Sequence, residues 1–234
     1  MCFALTNTVQ AQQNARRSNA PARKTTAVKS KVVSSPAKAI DLGLPSGTLW
    51  ASCNVGATKP EEYGDYFAWG ETKGYKSGKR DFSWRTYKWC AGNWSTQTKY
   101  CNDRSRGNKG FTDNKTELDL EDDVAYVNWG SNWRMPSRAQ QDELRAQCTW
   151  TWTQLNGVNG YRVTSKTNGN SIFLPATGWY RGMSLDDAGS YGYYRSRSLS
   201  NDPDYAYALE FGSGAVDCGG CGRGSGQVVR PVRR

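Results

Sequence analysis

The sequence predicts an α+β fold in which two helices sit among short antiparallel strands and long loops. Three observations predict it. Glycine reaches 25 of 234 residues and breaks the chain into short runs, which favours turns and strands over a helical bundle. Helical repeats of apolar residues stand out in two places, near residues 120 and 140. The second half instead alternates apolar and polar residues between Asn-Gly turns. Apolar content is only 37 %, but 10 Trp, 13 Tyr and 6 Phe can bury large area each, enough for one sizeable domain.

The first residues are read as processing and linker sequence. Val9-Gln10-Ala11 fits the small-x-small end of a secretory signal peptide, so residues 1–12 are expected to be a truncated leader, a chance match being the alternative. Residues 13–39 are Ala, Ser, Thr, Lys and Arg with Pro21 and Pro36 and no large aromatic. They cannot bury enough apolar area to offset the entropy of ordering, and read as a basic disordered linker. Residues 1–39 hold seven Lys or Arg and no acid, leaving 24 basic against 21 acidic residues in the remainder. The excess of charge therefore belongs to the tail, and a specific nucleic-acid partner is not expected. No run of 18 apolar residues is present, so no transmembrane helix is expected.

The folded domain is expected over residues 40–234. Thr48 to Val55 reads as a strand between Gly47 and Gly56, and Tyr66-Phe67-Ala68-Trp69 as a second short apolar run. Lys73 to Asn114 reads as a long insertion pinned by Trp84, Trp89 and Trp94. Thr116 to Asn128 carries Leu120, Val124 and Val127 on one helical face, with Glu117, Asp119, Glu121, Asp122 and Asp123 in its first half, where the helix dipole favours acids. A second helix starts at Ser137, with Gln140 three residues on as a capping box and Leu144 and Cys148 on one face. Strands follow around Trp150 and Trp152, at Tyr161–Thr164 and at Ser171–Leu174, with turns at Asn156-Gly157, Asn159-Gly160 and Asn168-Gly169. Further strands are expected at Tyr191–Tyr194, Ala206–Phe211 and Gln227–Val232, with Pro231 placing the last at an edge or terminus.

Several of these segments together resemble one family. Asp41-Leu42-Gly43-Leu44-Pro45-Ser46-Gly47-Thr48-Leu49-Trp50-Ala51 resembles the opening of the Fibrobacter major paralogous domain. So do Asn54-Val55-Gly56-Ala57, Gly64-Asp65-Tyr66-Phe67-Ala68-Trp69-Gly70-Glu71, Trp133-Arg134-Met135-Pro136-Ser137, Gly189 to Tyr194, and Val229-Arg230-Pro231-Val232-Arg233. The resemblance implies a C-type-lectin-like fold of the formylglycine-generating-enzyme type, with paired N- and C-terminal strands, two helices and long loops forming a binding face. Such domains are similar to the variable proteins of diversity-generating retroelements, in which template adenines are mutagenised as they are copied into the 3′ end of the gene. The resemblance thus implies a secreted or cell-surface, bacterial or phage-encoded binding module, receptor- or adhesin-like, acting as a monomer on a protein or glycan ligand.

A variable region is expected at about residues 192–227. Glycine occupies 212, 214, 219, 220, 222, 224 and 226, where relatives usually carry Asn or larger residues. AAC codons randomised at their adenines reach Cys, Gly, Ser, Arg and Ala but not Trp or Lys, and the departures here are residues of that set. Drift in a Gly-rich loop would leave the same trace. The expected ligand-binding positions are Arg195, Arg197, Ala208, Gly214, Ala215, Cys218, Gly219, Gly220, Cys221, Gly222, Gly224 and Ser225, projecting from the late strands or connecting them. Arg195 and Arg197 are expected outward, Tyr193 and Tyr207 inward. Aromatic and arginine side chains around them (Trp179, Tyr180, Tyr194, Tyr205, Arg181, Arg223) supply rigid contact area.

Enzymatic and metal readings fare less well on the residues. The chain has no histidine, which removes His-based triads, imidazole acid–base work and His-ligated metals. Cysteines stand at 2, 53, 90, 101, 148, 218 and 221, an odd number without a dense framework; Cys90 and Cys101 flank one loop and could pair. Cys218-Gly219-Gly220-Cys221 lacks the second ligand pair of a zinc site and the helix of a redox CxxC. A formylglycine-generating-type copper oxidase using this pair is the enzyme alternative suggested by the fold. A calcium-dependent lectin is the other alternative, but the Glu-Pro-Asn and Gln-Pro-Asp tripeptides are absent and Asn201-Asp202-Pro203-Asp204 reads as a turn. No catalytic residue, metal or cofactor is expected.

Overall fold

The local rules that shape the late strands are visible at once in the structure, a computed structural model that describes residues 37–76 and 79–234. Residues 1–36, with the expected leader and nearly all of the linker, lie outside the described residues. Strands β3 (Cys148–Leu155) and β4 (Val158–Ser165) pair antiparallel and meet at a two-residue turn. Asn156 and Gly157 there have φ of 50° and 81°, the mirror-image turn whose twist matches that of the strands. Asn159-Gly160, expected as a turn, continues β4 instead. Gly160 is needed there for space, since a Cβ would come within 2.3 Å of the Leu174 carbonyl on β5 (Ser171–Pro175).

The molecule is α+β and rich in small antiparallel sheets. β1 (Ala39–Asp41), β2 (Leu49–Ala51) and the closing β11 (Val232–Arg233) form one sheet with β2 in the middle. The two ends of the domain are therefore joined, with Trp50 opposite Ile40 on one side and Val232 on the other. The expected linker stops short of 39, because Ala39 already pairs with Ala51. β3–β4–β5 is a second sheet, and β6 (Trp179–Arg181) with β7 (Ser184–Asp186) makes a small hairpin that the sequence reading did not anticipate.

The third three-stranded sheet is formed by β8 (Tyr191–Leu199), β9 (Tyr205–Gly212) and β10 (Ala215–Gly222), in the order β10–β9–β8. β10 is the largest departure from expectation: the run read as a Gly-rich loop is an eight-residue strand in unbroken register with β9, from Ala215 opposite Gly212 to Gly222 opposite Tyr205. Glycine weakens a strand interior. Here the ladder to β9 and the edge position tolerate it.

Two α-helices are present among the described residues. α2 (Arg138–Gln147) starts where its capping box places it: Ser137 Oγ accepts from Gln140 N, and Gln140 Oε1 accepts from Ser137 N. Ser137→Ala should cost about 1 kcal/mol in a denaturant melt. A loss below a few tenths would show that the contacts of Gln140 with Thr48 and Arg197 hold the helix start alone. α1 (Val124–Trp129) is shorter than the expected 116–128 helix. Asp123 caps it, accepting from Ala125 N and Tyr126 N, so the chain ahead of Asp123 is not α-helical and Leu120 is 46 % exposed instead of facing the core. The acids expected to serve the helix dipole do something else: Asp119, Glu121 and Asp122 converge on Lys99 Nζ at 2.7, 3.4 and 2.6 Å.

Trp50, Leu42, Leu144, Leu174, Tyr180, Tyr194 and Phe211 fill one core cluster, and Trp69, Phe67, Tyr100, Val124 and Val229 belong to a second. Tyr194, not Tyr193, is the inward tyrosine of β8, and Tyr207 is only half-buried under Arg138. Of the three tryptophans expected to pin the 73–114 insertion, Trp84 and Trp89 pack on the core and Trp94 is exposed. No helix among the described residues is long and apolar enough to cross a membrane.

Candidate ligand-binding surface

Side chains alternate across a strand, and cross-strand partners share a face. The register therefore sorts the late sheet into two faces. One carries Tyr194, Leu209, Phe211 and Cys218 and packs into the core. The other carries Tyr191, Tyr193 and Arg195 on β8, Ala208, Glu210 and Gly212 on β9, and Ala215, Asp217, Gly219 and Cys221 on β10.

The outer face begins as an aromatic strip. Tyr191 and Tyr193, two residues apart, stack with centroids 6.4 Å apart, and Trp179 from β6 joins Tyr193 at 5.8 Å. Asp187 pins the strip, because its Oδ2 accepts from both Trp179 Nε1 and Tyr193 Oη. Tyr191 is 48 % exposed. Its ring lies on β9 because residue 212 is glycine; a Cβ there would be 2.6 Å from Tyr191 Cε1. At this end the strip opens into a groove of about 400 Å³ that includes Trp152, Asn159, Ser190, Ser213, Gly214 and Ala215.

Beyond the strip the face drops to small residues. Arg195, Ala208 and Gly219 form one cross-strand row, and Glu210 stands in the next row between Tyr193 and Asp217. A Cβ on Gly219 would meet Glu210 Oε1 at 2.8 Å, so any larger residue at 219 must re-aim that carboxylate. Burial and the adjacent carboxylates of Asp187 and Glu210 push the Tyr193 hydroxyl well above the ordinary tyrosine range.

The twelve expected positions divide accordingly. Gly214, Ala215 and Gly220 are exposed, and Gly219, Cys221 and Gly222 are half-buried. Arg195, Ala208, Cys218, Gly224 and Ser225 are buried and do not project. Arg195 is fully enclosed: its guanidinium donates to the carbonyls of Cys221, Gly222 and Ser225 and to Ser225 Oγ, tying β8 to the turn after β10. Burial without an ion-pair partner draws its pKa down to about 10. Arg197 lies past a bulge and is committed elsewhere, to Glu117 Oε2, the Met135 carbonyl and Gln140 Oε1, on the wall of a separate cleft of about 790 Å³. Arg223 and Tyr180, counted among the recognition residues, are also buried.

The cysteines behave as neutral side chains. Cys218 faces the core while Cys221 faces Glu210, as their odd spacing on a strand dictates, so they present no common two-thiol site. Burial raises both thiols to about 12. Alkylation of either by iodoacetamide at pH 8.5 should run at least tenfold slower than that of free cysteine, because the thiolate is the nucleophile; a rate matching free cysteine would contradict this. Cys90 and Cys101 are separate thiols, donating to the carbonyls of Trp84 and Asp103.

Sequence reasoning missed Asp187, Glu210 and Asp217 as surface groups and misplaced Tyr193. The signal was the period-2 pairing of Tyr191 with Tyr193 around Gly192, which puts those two rings on one face and Tyr194 on the other. No family model, curated protein or solved structure matches the chain.

Proposed function

We propose that the chain is a secreted or surface-displayed ligand-binding module, receptor- or adhesin-like, built on a C-type-lectin-like scaffold, with the outer face of the β8–β10 sheet as its recognition surface. The joined terminal strands, the two helices and the resemblance of residues 40–234 to variable proteins of diversity-generating retroelements support the scaffold reading. The observation that carries the functional reading is the aromatic strip Trp179–Tyr193–Tyr191, held in a row on a regular sheet beside a β10 edge of small residues. Rigid aromatic rings offer contact area at low entropic cost, and a surface ordered before contact lowers the cost of association. Binding is the chemistry that such a face serves.

The test is a display library diversified at Gly214, Ala215, Asp217 and Cys221, on or at the end of that face. These positions should each change stability by less than ~0.5 kcal/mol, so the library should remain folded and yield clones with distinct specificities. A library that unfolds, or that folds and gives binders whose selected residues have no effect on affinity, would refute the assignment.

A further inference from the structure

Among the described residues the charged groups that reach the surface of this face are acidic, while Arg195 on the same face is fully buried. Asp187 is exposed at the foot of the aromatic strip, Glu210 is half-buried across from Tyr193, and Asp217 lies in the same cross-strand row as Glu210 and Tyr193. Among the described residues the Asp187 side chain accepts from two neutral donors, Trp179 Nε1 and Tyr193 Oη, which fix its position without cancelling its charge. Glu210 accepts from the Cys221 thiol, again a neutral donor.

The basic groups nearby are buried or ion-paired. Arg195 is sunk beneath the turn after β10, its guanidinium donating to three carbonyls and the Ser225 hydroxyl; these neutral acceptors leave its charge, which attracts Glu210 from below, so Asp187 is the freer of the two carboxylates. Arg145 pairs with Asp217 from the helix side at 3.0 Å. Arg181 pairs with Asp186 and rests 5.8 Å from the Trp179 ring, showing that a guanidinium already settles against this strip, while no cation among the described residues lies over the Tyr191 and Tyr193 rings. Ring faces attract cations through their quadrupole, and nearby carboxylates add to the attraction and repel anions.

Resting on the reading of this face as the recognition surface, we propose that its partner is a basic peptide segment of another protein, with a lysine or arginine side chain laid along the Tyr191 and Tyr193 rings and its charge met by Asp187 and Glu210. Long basic side chains suit such a strip because their methylene stems cover apolar surface while the charged head reaches the carboxylates. Position 219 then acts on specificity at one remove, since any side chain there displaces the Glu210 carboxylate.

The experiment uses the full chain and two labelled probes, a deca-lysine and a deca-glutamate peptide, with affinity read by fluorescence anisotropy at low and physiological salt and the footprint read by amide exchange. Deca-lysine should bind, weaken with salt, and protect Tyr191–Tyr193 and Ala208–Gly212. The Asp187→Asn/Glu210→Gln variant, checked by its melt to be folded, should lose at least tenfold in affinity, and Tyr191→Ala/Tyr193→Ala should lose a similar factor. Absence of deca-lysine binding, or affinity unchanged in the Asn/Gln variant, overturns the proposal. Deca-glutamate protecting these same strands would overturn the basic partner while leaving the recognition surface in place. Deca-lysine protecting only strands elsewhere, together with library-selected binders that do the same, would remove both.

Discussion

Arg223→Ala is expected to destabilise the domain by about 3–5 kcal/mol, the range for removing a buried, charged hydrogen-bonding partner. The side chain is fully buried, and its guanidinium is the hub of the 80–112 region. Nε donates to Tyr87 Oη, Nη1 to Gln97 Oε1 and the carbonyls of Tyr100 and Pro203, and Nη2 to the Lys99 carbonyl, all at 2.8–3.0 Å. The ring of Trp69 lies 5.0 Å away. Truncation strands these acceptors away from water, and each unmet buried group costs about 1–3 kcal/mol where it cannot relax. Arg223→Lys keeps the charge but not the planar fork, and should recover only part of the loss. Urea melts of the two variants measure this. A loss under 1 kcal/mol for alanine would show that aromatic packing alone holds the long insertion to the body.

Trp50→Ala should cost about 3–5 kcal/mol through lost burial and the cavity left behind. Trp50 is 1 % exposed and sits where the first and last strands of the domain meet β2, so its loss loosens the closure of both ends. Its Nε1 has no hydrogen-bond partner among the described residues, which makes Trp50→Phe the informative control. Phenylalanine removes that unmet donor with only part of the volume, and should cost clearly less than alanine. Equal losses for the two would show that the packing resides in the part of the indole that a phenyl ring does not replace.

What could be read from the sequence was set by neighbours in sequence. The Ser137–Gln140 capping box, the Asn156-Gly157 hairpin and the alternating Trp150 and Trp152 are local patterns, and the structure contains each of them. β10 was illegible because glycine says turn by itself and strand only when a ladder is supplied, here by β9. Arg195 and Arg223 looked like surface residues because arginine usually is. Their burial depends on carbonyls brought in from 20 or more positions away along the chain, at Cys221 and Ser225 for one and at Pro203, Lys99 and Tyr100 for the other. The candidate surface was legible as a region and not as a face. Its composition marked it out, but which of the twelve positions project followed from the β8–β9–β10 register, and the acids beside the aromatic strip emerged only with it.

Deep sequencing of the 3′ end of the gene across a population of cells tests most directly whether this face is a diversifiable recognition surface. The account predicts an imperfect repeat of the final codons beside a reverse transcriptase gene. It also predicts adenine-derived substitutions concentrated in the codons for Gly214, Ala215, Gly219 and Cys221, with those for Arg195, Ala208, Gly224 and Ser225 constant. Substitutions spread evenly over buried and exposed codons, or a 3′ end invariant throughout the population, would contradict it.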